Sequence, residues 1–527
     1  MKNIIYIILL LFVSCTTKKE PGLHKEENVT DLKPLPVFEK VPSSTSHLEF
    51  TNSIKENVAT LDNLFSFDYF YNGAGVGVED LNNDGLLDIF FCGNQVPNKL
   101  YLNNGDLQFT DISESSGINI GKNWSNGITF VDINNDGYKD IYVSQGGPKD
   151  RNHRKNLLYI NNKDLTFTEK AEEYGLADMG ISTQSAFFDY DNDGDLDCVV
   201  MNENEIYGVD PINFYKIVAN NKDVKYFNSS HIYNNDNGKF VDATLSSGVQ
   251  NPIYGLGLCI SDINKDGWLD IYFTSDYYIP DALYINQKDG TFSEEIKNYT
   301  QQISYYGMGI DIADINSDSK EDIFTLDMSS SDHVRAKTLM ASMNTKRFDY
   351  LINTAGFHYQ YMFNSLQLNL GNNKYNNIAQ LTETANTDWS WSVLMSDFDN
   401  DEDNDIYISN GYRKYALDND LQNKVFATQQ KFGRNVPLEL KQELYETMPT
   451  EKLQNVLFEN EGKLDFNEKA NIWGLGDFSY SNGVAQGDLD NDGDLDLIVN
   501  NMDENAFLYK NLTSDNRNGN YLNIKTI

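Results

Sequence analysis

"DLDNDGDLD", Asp488–Asp496, sets five carboxylates in nine residues and offers almost nothing that could join a core. Like charges this dense repel, so a folded chain keeps them together only if they share something. The spacing returns six more times: "DLNNDGLLD" (Asp80–Asp88), "DINNDGYKD" (Asp132–Asp140), "DYDNDGDLD" (Asp189–Asp197), "DINKDGWLD" (Asp262–Asp270), "DINSDSKED" (Asp314–Asp322) and "DFDNDEDND" (Asp397–Asp405). Positions one, five and nine are always Asp, and position three is Asn or Asp. Position six is Gly in five loops, with Ser319 and Glu402 the exceptions. Repeats of this kind decide the fold before any single element does.

The spacing has a chemical reason. Calcium takes six to eight oxygen ligands in a flexible shell. Positions one, three and five of a tight loop supply side-chain oxygens, position seven its carbonyl, and position nine closes the shell. The predicted ligands are Asp80, Asn82, Asp84 and Asp88; Asp132, Asn134, Asp136 and Asp140; Asp189, Asp191, Asp193 and Asp197; Asp262, Asn264, Asp266 and Asp270. The last three loops add Asp314, Asn316, Asp318 and Asp322; Asp397, Asp399, Asp401 and Asp405; Asp488, Asp490, Asp492 and Asp496. Up to seven calcium ions are expected, and a shared cation turns the repulsion into coordination.

The flanks select the architecture. After position nine come "IFF", "IYV", "CVV", "IYF", "IFT", "IYI" and "LIV". These β-branched and aromatic runs read as strands. Before each loop lies a run with small residues, such as "GAGVGVE" and "SNGVAQG". Most units then carry a second strand pair with Asn and Gly at its turn, as in "KLYLNNGDLQFTDIS". Four strands per unit, seven times over, predict an all-β, seven-bladed β-propeller with the small residues on the crowded innermost strands. "HLEFTNSI" (His47–Ile54) is expected to complete the last blade.

With these motifs the chain resembles the FG-GAP or VCBS repeat family, known from the propellers of integrin α-subunits. The resemblance covers residues 46–515 and implies the propeller, but is silent on function. "NGNYLNIKTI" at the C-terminal end resembles the start of the small domain that follows such propellers in the cartilage-acidic-protein-like (ASPIC/UnbV) group, so 516–527 reads as the start of such a domain, with truncation of the chain and absence of the domain both left open.

The N-terminus is read separately. "MKNIIYIILLLFVSC" has a lysine, an apolar run and a small residue before Cys15, the pattern of a secretory signal. "FVSC" looks like a bacterial lipoprotein cleavage site, making 1–14 the signal peptide, Cys15 the lipidated residue and 15–45 a flexible tether. The expected location is the bacterial cell envelope, lipid-anchored to the outer membrane. Cys92, Cys198 and Cys259 read as core residues, with a Cys198–Cys259 bridge left open. The net charge of −38 argues against nucleic acid as a partner.

If the calcium loops join the first two strands of every blade, they share one face. Inserts at 146–155, 202–228, 329–363 and 411–454 then fall on the other. "NDLQNKVFATQQKFG" and "VPLELKQELYETMP" in the last insert read as helices. His358, Tyr359, Tyr361 and Arg413 on these inserts are the candidate ligand face. There is no Gly-rich phosphate loop, GxSxG or HExxH, so no catalytic residue is assigned. Three readings stand: a calcium-stabilised binding or adhesion module for a glycan or protein ligand, a polysaccharide-acting lyase or hydrolase on a calcium-bearing propeller, and a structural subunit of an envelope complex.

Overall fold

Each nine-residue loop ends inside a strand. Its last aspartate opens that strand and pairs across the hairpin: Glu79 with Asp88, Val131 with Asp140, Phe188 with Asp197, and so on to Gly487 with Asp496. The computed structural model describes residues 36–118, 121, 124–340, 343–433 and 435–516. The expected signal peptide, Cys15, the expected tether up to residue 35 and residues 517–527 lie outside the described residues.

The fold is mostly β. Six four-stranded sheets and one five-stranded sheet follow one another along the chain, with two small two-stranded pairs beside them. The first sheet shows the plan: Val76–Glu79, the loop, Asp88–Phe91, Lys99–Asn103 and Phe109–Asp111, all antiparallel. Every residue of the seven second strands is buried, which is why the residues after each opening aspartate read as short β-branched and aromatic runs.

The first strand of each sheet touches the first strands of the sheets before and after it, and that of the seventh touches that of the first. Small residues permit this approach. A Cβ on Gly127 would lie 2.3 Å from the Thr183 carbonyl oxygen, and one on Gly309 2.3 Å from that of Trp391. Between the sheets lie apolar layers, such as Phe398, Tyr407, Leu457, Leu497 and Tyr509 between the sixth and seventh.

The seventh sheet corrects one expectation. Its fourth strand is Phe38–Val41, not His47–Ile54, and it pairs with Phe507–Asn511 in the register Phe38 with Asn511 to Val41 with Leu508. Residues 36–41 are therefore part of the folded body, although they fall within the expected tether. A helical turn, Ser43–Ser46, and His47 at φ 61° redirect the chain. Leu48 and Phe50 then fill the apolar layer between the seventh and first sheets, with only isolated bridges from Thr51 to Asn505 and Asn52 to Met502. The alternation of Leu48 and Phe50 is real, but it serves packing rather than a ladder.

The inserts contain more helix than the sequence suggests. The expected pair appears as Asn419–Phe432, capped by Asp418, and Leu438–Glu446, with Pro437 just before the first turn. Helices Pro211–Asn220, Lys222–Phe227, His333–Thr338 and Thr345–Asn353 accompany them. Among the described residues, no helix is long and apolar enough to cross a membrane. Cys92, Cys198 and Cys259 are free thiols.

Candidate functional site

All seven loops close by one hydrogen-bond pattern. The position-one carboxylate accepts the N–H of position five at 2.9–3.2 Å. Its other oxygen accepts the N–H of position six at 2.6–3.1 Å. Position six adopts positive φ throughout, including 63° at Ser319 and 77° at Glu402, where a Cβ carries a conformational cost. Neighbouring loops touch: Asn83 Nδ2 donates to Gly137 O at 2.9 Å and Asn491 Nδ2 to Gly85 O at 3.0 Å.

Position nine is anchored from two sides. One oxygen accepts the N–H of position two at 3.0–3.2 Å. The other accepts, at 2.7–2.9 Å, the N–H of the asparagine that ends the third strand: Asn103, Asn161, Asn235, Asn286, Asn369, Asn460 or Asn511. These asparagines read in the sequence as turn residues, and their structural role was missed. Each also donates its amide to the position-eight carbonyl. Five of them reach the position-two carbonyl of the preceding sheet's loop as well, among them Asn103 to Leu489 O at 2.9 Å. Loop geometry and sheet-to-sheet docking are thus one network.

Burial governs the position-nine carboxyls, with the other loop carboxylates adding to it and the backbone N–H groups opposing it. They are pushed up to about 6 at Asp140 and Asp322, about 7 at Asp88, Asp197 and Asp270, and about 8 at Asp405 and Asp496. In three loops one oxygen from each of three carboxylates falls within 4.8 Å of the others: Asp189, Asp191 and Asp197; Asp397, Asp399 and Asp405; Asp488, Asp490 and Asp492. Asp191 Oδ1 and Asp490 Oδ1, both at position three, are buried without a hydrogen-bond partner. Such a donor set fits a hard divalent cation. Lys510 shares the last loop, with its Nζ 2.7 Å from Asp490 and 3.1 Å from Asp492.

At the opposite ends of the first and second strands, the inserts meet. Arg335 holds Asp388 through two bonds, Nε to Oδ2 at 2.7 Å and Nη2 to Oδ1 at 2.9 Å, and also reaches Tyr415 and Glu451, joining the inserts of the fifth and sixth sheets. Tyr215 packs edge-on against Phe357, joining those of the third and fifth.

Of the four residues expected to form a ligand face, His358 neighbours Tyr359, and Tyr359 and Tyr361 both pack on Phe348, while Arg413 has its contacts elsewhere. His358 is buried and hydrogen-bonded to Thr300 Oγ1 at 3.1 Å, and burial, with Lys297 nearby, pulls it down to about 4. Tyr359 is exposed, while Tyr361 stacks on Phe363. Arg413 is tied to the N-terminal segment, donating to Ile54 O at 2.8 Å and pairing with Asp503 at 3.1 Å.

What the fold gathers instead is an aromatic cavity of about 260 Å³ at the ends of the strands away from the loops. Tyr69, Tyr277, Tyr306, Trp389, Trp391 and Tyr412 line it, with Asp68 and Asp276. Tyr69 OH donates to Asp276 Oδ2 at 3.0 Å and Tyr277 OH to Asp68 Oδ2 at 2.9 Å. Burial pushes Asp276 up to about 7 and raises Asp68. A second cavity, of about 200 Å³, lies among the first strands and shares Met308 and Trp391 with it. Trp389 and Trp391 of this lining stand on the strand Asp388–Ser396.

Comparison with known proteins agrees with the repeats. The model of an FG-GAP-like repeat matches residues 80–143 and 262–325. Cartilage acidic protein 1 of Xenopus tropicalis is 29% identical over 153 residues, 28% of this chain and 23% of that protein. The human protein of the same name is 30% identical over 129 residues, 24% of this chain and 19% of its own length. The matches thus span about a fifth of the curated relatives. Among solved structures, an Agrocybe aegerita lectin described as recognising non-reducing terminal N-acetylglucosamine aligns with a TM-score of 0.38 and 13% identity, over 81% of this chain and 85% of that one. The chain carries FG-GAP-like repeats and is similar to cartilage acidic protein 1.

Proposed function

We propose that the chain is a calcium-stabilised, seven-bladed propeller that serves as a binding or adhesion module on a bacterial cell envelope. The observation that supports this best is the common loop scaffold, with unpartnered position-three oxygens buried in two of the loops. Positions one, three, five and nine of each loop would hold the ion, and bound calcium would neutralise their charge and lock neighbouring blades through position nine and its asparagine. With metal geometry fixing one face, the inserts leave the other free to vary, and ligands are taken in concave, aromatic-lined places. A glycan or an extracellular protein is the proposed ligand. The carboxylates of the aromatic cavity have no lysine, arginine or histidine beside them among the described lining residues, which favours binding over lyase chemistry.

The test is a glycan and protein-ligand screen of the soluble ring with and without calcium. Binding that needs calcium and is lost on changing cavity residues supports the module. Binding lost only on changing the Asp80 or Asp488 loops, with the fold intact, would put the ligand on the other face.

The anchor is proposed at Cys15. Labelling cells with an alkyne fatty acid is expected to mark the wild type and not Cys15→Ala, and the variant should leave the membrane fraction. Equal membrane retention without label would assign the attachment to something other than a lipid.

A further inference from the structure

We propose that the aromatic cavity is a receptor site for an organic ammonium group, which enters between Trp391, Tyr277 and Tyr306 and is held by the carboxylates of Asp68 and Asp276. The proposal rests on reading the face opposite the loops as the binding face and adds the chemistry of its ligand.

The walls are π surfaces in two groups. Tyr69 and Tyr277 have ring centroids 6.3 Å apart, Tyr277 and Tyr306 6.4 Å, and Trp391 and Tyr412 6.4 Å; Trp389 lies flat on Tyr412 at 3.7 Å. Aromatic faces attract cations, most strongly where water is excluded. A wall of this kind alone would suit an apolar ligand equally well, and the acids decide between the two. Asp276 is 5% exposed, and its two oxygens are fixed by Tyr69 OH and by the Tyr277 N–H, so the carboxylate is held in place within the lining. The cavity lining supplies no countercharge among the described residues. Asp327, fully buried, and Asp68 add to the negative field on Asp276. A buried carboxylate without a cation is costly, and either a proton or a cationic ligand relieves it. The indole N–H of Trp389, in a side chain 5% exposed, has no hydrogen-bond partner and offers a donor to a ligand hydroxyl. An anionic ligand would set its charge against the same acids.

The experiment compares choline with its neutral isostere 3,3-dimethylbutan-1-ol, by calorimetry and tryptophan fluorescence on the calcium-loaded full chain. Ethanolamine is a second arm that tells a primary from a quaternary head group. At least one ammonium compound is expected to bind tenfold or more tightly than the isostere. Asp276→Asn should remove that preference and leave isostere binding unchanged. Asp68→Asn, at a less buried position, serves the same purpose if the first variant does not fold. Equal binding of cation and isostere, no binding of either ammonium compound, or an unchanged preference in a folded variant would overturn the proposal. Failure here with a ligand still recovered from the screen would remove the ammonium site and keep the module; loss of both would remove the binding reading as well.

Discussion

EDTA is expected to lower the melting temperature of the ring by on the order of 10 °C, with calcium restoring it and magnesium restoring it poorly. A ligand that binds only the native state stabilises it by mass action, about 2.7 kcal/mol per site at a hundredfold excess over Kd. Extracellular calcium modules bind at roughly 0.1–1 mM, so millimolar calcium fills several such sites at once. Magnesium prefers a smaller, stricter octahedral shell. The effect should depend on pH in a definite direction. The position-nine carboxyls are raised in the fold to about 6–8 by burial, above their value of 3.8 in an open chain. In chelator, the folded ring therefore holds protons that the unfolded chain has released. Its stability is complete below about pH 4 and declines as the pH rises through about 6 to 8. Calcium needs those carboxylates ionised, so the gap between the calcium and EDTA melts should widen over the same range. A differential scanning series at several pH values checks both parts. Superimposed melts in calcium and EDTA would remove the metal from the fold. Loops five and six should fill last, because Ser319 and Glu402 hold positive φ without glycine. Full occupancy there with vacancies elsewhere would contradict this.

The sequence displays these loops openly because one hydrogen-bond pattern, shared by all seven, fixes aspartate at positions one and nine. What surrounds them was legible only where one residue type served one purpose. The buried second strands and the small inner strands are such cases. The seven strand-ending asparagines are not, since Asn also marks turns, and their distance from the loop varies with the inserts between. The aromatic cavity was hidden for another reason. Its lining comes from residues 64–69, 276–277, 306–308, 328, 389–391 and 412–417, brought together only by the ordering of the sheets. Asp68 and Asp276 are two of 79 acidic side chains, with nothing local to distinguish them. At His358 the sequence shows the aromatic neighbours but not the burial: the imidazole is buried and bonded to Thr300, while Tyr359 beside it is exposed.

A chain beginning at His47 is expected to lose ring closure while keeping all seven loops. The strand that closes the seventh sheet is "FEKV", Phe38–Val41, set between prolines in a polar stretch too short to show a period. Its contribution is concentrated in Phe38, which is 1% exposed, meets the Phe398 ring at 6.1 Å and that of Trp473 at 6.4 Å, and lies in the apolar layer between the sixth and seventh sheets. Truncating a buried phenylalanine costs about 3–5 kcal/mol. Removing the whole strand also strips the ladder from Phe507–Asn511 and leaves an open edge, which is a site for aggregation. Asn511 carries further weight, because its N–H holds Asp496 at 2.8 Å and its amide reaches Phe398 O at 2.7 Å. Loosening this strand should therefore weaken calcium binding at the seventh loop as well as stability. Phe38→Ala is expected to lower the melting temperature by several degrees, and the chain starting at His47 by more, with fast amide exchange at 507–511 in both. A chain starting at Pro36 should melt with the full-length protein. If the His47 chain instead matched full length, Leu48 and Phe50 in their layer between the seventh and first sheets would be enough to close the ring, and Phe38–Val41 would be a dispensable edge.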